Sequence, residues 1–399
     1  MKKDTTDEKY LILVILCSFF MYHVNVWSTK RIWDFFTIAF LGITLLICLR
    51  RRFIHITFYF KWLVSIIVIS TVVSLIQPYR ENAFGNMYNL IKAALPALIV
   101  ITFTDSYKRI EYILLSLWIS GIAVFFELMM NFNANAVLNT IIMTQSRMGL
   151  GGVEHPNTTA YNLLISFIVG SYLLFTCEWI KNRKAHMIIM IIGEGLIAGG
   201  CLLTGSRKVL IGILIVLLLI AIRNSQNPIK LIGVISVIII GIYMLYQITL
   251  SNQILYTLVG NRLESLFEGE DASSDGRKTL IAEAVRIGFV SVIGVGFGNY
   301  KNYSSLGMYA HNELVEIFSG TGMAGLVIYY FPIIKEVGIA FKNYYNRVSQ
   351  SDVAWFAIFF TVFVIEFSQI TYTLFSYHMM LALLLSFREI TNQIENRDV

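Results

Sequence analysis

Runs of apolar residues long enough to cross a bilayer recur along almost the whole of this 399-residue chain. A helical span needs ~20 such residues. Inside the hydrocarbon no water satisfies a backbone N–H or C=O, so each run is forced into a helix. The runs fall near 10–27, 32–49, 58–77, 86–104, 110–130, 158–177, 185–203, 209–222, 231–250, 313–333, 353–370 and 373–388. They predict an all-α polytopic membrane protein of about 12 transmembrane helices. The number is 11 if the last two runs are one helix broken between Gln369 and Thr373. Alternating polar and apolar strands are missing, which argues against a barrel. Only 14% of the residues are charged and 56% are hydrophobic. Soluble chains carry about 25% and 45–50%, so a soluble enzyme and a disordered chain are both excluded. The whole of 1–399 reads as one integral membrane domain.

The run from Tyr10 is followed by His23, Asn25 and Lys30 rather than by a small-residue cleavage site, so it is expected to stay as the first helix. Cys17, Cys48, Cys177 and Cys201 all lie in apolar runs, far apart in sequence. They read as small core residues with neither disulfide nor metal-site spacing. With the N-terminus in the cytoplasm, the inside loops and helix ends collect 19 of the 31 basic residues, as short loops should. The net charge of +6 is then mostly an insertion signal and no sign of nucleic-acid binding. The exceptions are informative. Lys30, Arg31, Arg80, Lys92, Arg147, Arg207, Lys208, Arg262, Arg277, Lys278, Arg286 and Lys301 fall outside or near the outer face. An anionic ligand there would require them.

Two polar segments are too long to be turns, about 131–157 and 251–311. The second is expected to be an extracytoplasmic loop between spans nine and ten. Within it Leu280, Ile281, Ala284, Val285 and Phe289 recur at helical spacing, with Lys278, Glu283 and Arg286 opposite. That pattern predicts an amphipathic helix on the outer membrane surface. The stretch Glu268–Asp271, with Ser273, Ser274 and Asp275, reads as a mobile connector before it. No internal repeat is visible.

Three constellations on this face carry chemistry. Thr204-Gly205-Ser206-Arg207-Lys208 puts an arginine at the outer end of span seven. Its planar fork of donors matches phosphate oxygens, and the plainer reading is a side chain snorkelling to the interface. Asp275-Gly276-Arg277-Lys278 is expected to open the surface helix, where free amides and an arginine would favour an anion. Attraction to lipid headgroups is the plainer reading there. Tyr309-Ala310-His311-Asn312-Glu313 marks re-entry into the membrane. His311 titrates near neutrality and is able to take a proton from a hydroxyl, with Asn312 or Glu313 orienting its ring. An interfacial histidine is more often structural. Gly294-Val295-Gly296-Phe297-Gly298 looks like a phosphate loop but lacks the strand context, so a tight turn is the better reading. Glu127, Glu194, Glu366, Lys92 and His378 lie within spans, where ionisable groups are functional candidates by default. No metal-site spacing is present.

Taken in order, these pieces resemble the O-antigen ligase and Wzy-type polysaccharide polymerase family. The matching segments are Gly151 to Ala160, Thr204 to Lys208, Gly276 to Tyr300 and Ala310 to Gly322, and the resemblance covers roughly 145–335. Lys208 departs from the glycine the family often has after its serine-arginine pair.

The resemblance implies a glycosyltransferase of the membrane-embedded class, free of metal and cofactor. Its donor would be an oligosaccharide on undecaprenyl pyrophosphate, attacked by an acceptor hydroxyl at the outer face of the cytoplasmic membrane. It implies Arg207 and Arg277 on the pyrophosphate and His311 as general base, with Lys208, Asn157, Asn312 and Glu313 as supporting substrate contacts. A single base behind the acceptor implies inversion. A polymerase making capsule, O-antigen or exopolysaccharide is favoured over a ligase that moves finished polymer to a lipid or cell-wall acceptor. Chain-length regulators and other assembly proteins often accompany such polymerases. The competing class is a flippase or proton-coupled transporter using Glu194, Glu366 and His378 at mid-membrane, although transporters usually show repeats.

Overall fold

The computed structural model describes residues 14, 15, 18, 22, 56–133, 148, 149, 155–176, 182–224, 228–260, 264, 272–346 and 350–395. Almost all of the expected spans 10–27 and 32–49 lies outside these residues, as do Cys17, Cys48, Cys177, Lys30, Arg31, Arg147, Gly151 to Glu154, Arg262 and Glu268 to Asp271. The helices are α1 (Phe58–Leu75), α2 (Arg80–Thr102), α3 (Tyr107–Met130), α4 (Pro156–Thr176), α5 (Arg183–Leu203), α6 (Arg207–Asn224), α7 (Pro228–Ser251), α8 (Ala272–Val290), α9 (Glu313–Asn346), α10 (Gln350–Glu366) and α11 (Phe375–Glu395). Short helical turns follow at Gln253–Leu255, Tyr256–Gly260 and Tyr300–Asn302, and no strand occurs among the described residues. The expected runs from 58–77 onward each coincide with a helix. The last two are separate helices, parted by Phe367–Leu374. Six helices, α1, α2, α3, α5, α9 and the part of α7 from Ile232 to Ser251, are long and apolar enough to cross a membrane.

Helix starts follow local chemistry. The Thr57 side chain caps α1 through Phe60 N–H, and Asn182 caps α5 through Lys184 and Ala185 N–H. Proline opens α4 and α7, where its missing N–H is harmless.

The chain divides into two compact units, one of 1–28, 108–270 and 340–361, the other of 29–107, 271–339 and 362–399. In the first, glycines let α3, α4, α5 and α6 approach closely. A Cβ on Gly193 would strike Trp118, and one on Gly212 would come within 2.7 Å of Leu164. Glu194 is buried here and accepts from Trp118 Nε1–H (3.0 Å) and the Ser171 hydroxyl (3.2 Å).

In the second unit, α2 packs on α1 and α11. Trp62 Nε1 donates to the Tyr329 carbonyl (3.0 Å), and the Tyr59 hydroxyl meets His378 Nδ1 (2.9 Å). His378 Nε2 lies 2.7 Å from the Tyr372 carbonyl. A carbonyl only accepts, so the imidazole proton sits on Nε2 and Nδ1 accepts from Tyr59. Both ring nitrogens of His378 therefore have structural partners.

Helix α9 is interrupted at Gly322 (φ 67°, ψ −171°). The 294–298 turn expected from sequence docks there, with Gly294, Gly296 and Gly298 all at positive φ. Val295 N–H donates to the Ser319 carbonyl and Gly296 N–H to the Gly320 carbonyl, both at 2.9 Å. Gln77, Asn86 and Asn299 side-chain amides donate to carbonyls of the same turn (Gly294, Phe297 and Gly298, Val295). A Cβ on Gly294 would lie 2.6 Å from Gly322 N, so this contact tolerates no side chain.

Gly322→Ala is expected to lower stability by about 2 kcal/mol or more, because its backbone region is essentially restricted to glycine. Gly338, with nothing within 4 Å of its would-be Cβ, should accept alanine with a neutral to slightly positive effect of up to about 1 kcal/mol. Thermal unfolding of the two variants in detergent checks this, and equal midpoints would refute the docking role.

Candidate functional site

In the second unit the long segment before α9 folds into a corner. The α8 face predicted from sequence is real: Leu280 and Ala284 are buried against Tyr300, Ala310 and Val315, with Ile281 and Val285 beside them. Phe289 leaves that core and is exposed, its ring edge-on to Phe318. Two expectations need correction. Ser273, Ser274 and Asp275 belong to the first turn of α8, which begins at Ala272, and are not a connector. Arg277 therefore sits in the second turn, where amides are already engaged within the helix, and the helix N-terminus gives it no anion site.

Lys278 pairs with Asp275 (2.9 Å) on the exposed side of α8. The Tyr300 hydroxyl donates to the Leu280 carbonyl (2.6 Å), and burial raises its pKa. Glu283 accepts from Ser305 N–H (3.0 Å), fastening the following turn to α8. Hydrogen bonds from the Ser305 side chain and backbone, with help from Tyr300 and Arg286, hold the Glu283 carboxyl below its ordinary pKa.

His311 has φ 55°, a left-handed backbone found at no other non-glycine among the described residues. Such strain persists only where surrounding contacts impose it, and it clusters at functional sites. The contacts are visible. Glu316, buried on the first turns of α9, accepts from Ala310 N–H (2.8 Å) immediately before the histidine. Immediately after it, Asn312 caps α9 by accepting from Val315 N–H (3.3 Å), and its amide donates to the Phe367 carbonyl (3.1 Å). The Tyr309 ring lies 4.1 Å from the His311 ring, centroid to centroid. Burial raises the Tyr309 pKa, and the charge of Arg277 opposes that rise.

Glu313 performs a different task from the one expected of it. Its carboxylate is fully buried and accepts from the Tyr329 hydroxyl (2.5 Å), the Thr371 hydroxyl (2.6 Å), Thr371 N–H and Tyr372 N–H (3.0 Å). Those donors occupy its oxygens and clamp the 367–374 connection to the start of α9, so Glu313 does not orient the histidine ring.

The first unit holds the other predicted residues. Thr204 and Gly205 (φ 59°) end α5, and Arg207 and Lys208 are the first two residues of α6 rather than a tail on α5. Both are half-buried, beside a buried Ser206 whose carbonyl accepts from Val209 N–H (3.2 Å). No acidic residue occupies that first turn. Asn157 is the second residue of α4, and its N–H donates to His155 Nδ1 (3.2 Å). The sequence patterns contain Tyr309, Tyr300 and Glu283 without giving them a role, and Glu316 stands in none of the three constellations. An acidic residue in the first turns after a loop was the available signal for Glu316, since it is placed to receive backbone N–H groups there.

A helical chain with several membrane-length apolar spans and a pinned histidine corner defines the class, a polytopic membrane protein with an ordered polar site. Residues 194–330 match the family model described as O-antigen ligase, a similarity that covers about a third of the chain. The match includes Arg207, Lys208, Arg277, His311, Asn312 and Glu313 but stops short of Asn157. No curated protein matches the chain.

Because the Glu283 carboxyl is lowered by folding, its contribution is present above the unfolded carboxylate pKa and is lost as pH falls through the lower folded value. The protection factor of Ser305 N–H, the intrinsic exchange rate divided by the observed rate at the same pH, should fall on that acid limb in the wild type. Glu283→Gln should flatten the limb, and an unchanged profile would show that Glu283 does not fasten the turn.

Proposed function

We propose that the chain is a polysaccharide polymerase of about 12 spans, with the 251–311 loop and its surface helix outside the cytoplasmic membrane. It joins oligosaccharide repeat units carried on undecaprenyl pyrophosphate. The observation that carries this reading is the corner around His311, whose left-handed backbone (φ 55°) is held between the Glu316 contact to Ala310 N–H and the Asn312 cap of α9, with its ring against Tyr309. A histidine fixed in this way is suited to take a proton from an acceptor hydroxyl.

In the reaction, the acceptor hydroxyl attacks the anomeric carbon and forms the new glycosidic bond. The bond from that carbon to the pyrophosphate oxygen breaks, the bonding pair leaves with the lipid pyrophosphate, and His311 takes the hydroxyl proton. Arg207 and Arg277 stabilise the charge that grows on the leaving group. The left-handed backbone of His311 and its ring contact with Tyr309 support a histidine held for this task. Attack from the face opposite the leaving group inverts the anomeric centre. Lys208, Asn157 and Asn312 are supporting contacts to the donor, Asn312 acting through the helix start that it caps. Cation chemistry comes from the arginines, and the reading requires no metal.

Arg207→Ala and Arg277→Ala should each lower the rate of chain extension by about 10²–10³, and His311→Ala by about 10²–10⁴, with each variant still in the membrane. If both arginines serve one pyrophosphate, the double variant loses less than the product of the two single losses. Polymer of wild-type length from any of the three single variants removes that residue from the mechanism.

The family description favours one second reading, a ligase that transfers finished polymer to another acceptor. The donor chemistry is shared, so the accumulated lipid-linked glycan in a deletion strain separates the two. Single repeat units identify a lost polymerase and long polymer a lost ligase. Accumulation of neither refutes both.

A further inference from the structure

Beside the histidine corner the segment between α8 and α9 presents aromatic rings to the outside. Tyr79, Tyr303 and Tyr309 are 46%, 37% and 38% exposed. Tyr303 and Tyr309 flank the turn Ser304–Met308. The Ser304 hydroxyl closes that turn by donating to the Met308 carbonyl (2.9 Å) and accepting from Met308 N–H (3.0 Å). The Tyr79 ring stands edge-on to Tyr303 at 5.4 Å and 87°, while Tyr309 lies against His311. The backbone is pinned at Tyr79 and at Tyr303. Asn299 Nδ2 donates to the Tyr79 carbonyl (2.9 Å), and Tyr303 N–H donates to the Tyr300 carbonyl (2.9 Å).

The geometry points to a glycan-binding platform in which Tyr79, Tyr303 and Tyr309 receive successive sugar rings and lead the acceptor end of the oligosaccharide to His311. This rests on the glycan-transfer reading and names the subsite that reading leaves open. A tyrosine offers a flat, rigid, amphipathic surface at little entropic cost. A pyranose is amphipathic in the same way, with a C–H face to lay on a ring and hydroxyls at its edge for phenol and polar neighbours. Lys301, Ser305 and the half-buried Asn302 are such neighbours.

A belt of tyrosines at the lipid interface is the alternative occupant. The larger exposed apolar cluster, Phe289, Val290, Val292 and Ile293 at 54–78%, lies at the far end of α8, while the tyrosine turn exposes Leu306 (53%) and Met308 (46%) beside its rings. The turn meets α8 near Gly276, whose would-be Cβ is 3.9 Å from Leu306. Thirteen residues of helix, about 20 Å, separate the two regions along α8.

The test uses the purified full-length protein in lipid nanodiscs. The probe is the glycan that the deletion strain accumulates, released from its carrier by mild acid. Saturation-transfer NMR with irradiation of aromatic protons reads whether sugar ring protons contact the rings. Wild type and Tyr303→Phe, which keeps the ring, should give strong transfer. The exposed double substitution Tyr79→Leu/Tyr303→Leu keeps apolar bulk without flat faces and should bind about tenfold more weakly. Wild-type transfer from the double variant overturns the platform and assigns the rings to lipid. Absence of transfer in the wild type also overturns it. The glycan-transfer reading stands or falls separately, on whether the deletion strain accumulates lipid-linked glycan at all.

Discussion

Backbone against backbone, at Gly294–Gly296 on one side and Ser319–Gly322 on the other, is the contact around which the second unit is organised. Helix α9 gives up its regular hydrogen bonding at Gly322, and N–H groups of the glycine turn take over the carbonyls of Ser319 and Gly320. No side chain fits between the two segments. The exchange fixes the distance from the end of α8 to the body of α9. It therefore fixes the span that the chain from Asn299 to Asn312 must bridge, and within that bridge lie Tyr303, Tyr309 and His311. Gln77, Asn86 and Asn299 extend the same device to α1 and α2.

The start of α9 is the second constraint. Its polar residues divide the work: Asn312 caps the helix, Glu313 clamps the Thr371–Tyr372 connection, and Glu316 reaches back to Ala310 N–H. Between them His311 is held in a backbone conformation that a β-carbon disfavours. All three side chains accept from backbone N–H groups, and the contacts of Glu316 and Asn312 fall immediately before and after the histidine.

The charged residues inside the apolar spans have a separate logic. Glu194 is met by Trp118 and Ser171, Glu336 by Arg388, and His378 by Tyr59 and Tyr372. In hydrocarbon a polar group is retained only with a partner, and these partners are structural. The transport reading would use Glu194, Glu366 and His378; Glu194 and His378 have these structural partners, whereas Glu366 is buried with its Oε2 lacking a hydrogen-bond partner.

Apolar run length alone determined the helices, because a bilayer offers a buried backbone no alternative. The runs from 58 onward became helices, most within a few residues of the expected ends, while α9 extends to Asn346 and α11 to Glu395, well past the apolar runs that begin them. Helical spacing in the same way identified α8 and its Leu280–Ala284 face, and the order of Arg207, Arg277 and His311 pointed to the family. Tertiary structure decided what each polar residue does. Sequence order makes Glu313 the neighbour of His311, yet packing turns it toward Thr371 and Tyr329, while Glu316 comes back to the histidine loop. The true start of α8 at Ala272 and that of α6 at Arg207 exchanged which arginine stands at a helix terminus. Pattern reports which face of an element is apolar, since burial follows hydrophobic area. The aim of a buried carboxylate is set by whichever donors the rest of the fold brings within hydrogen-bond reach, and those lie up to 59 residues away from Glu313 in the chain.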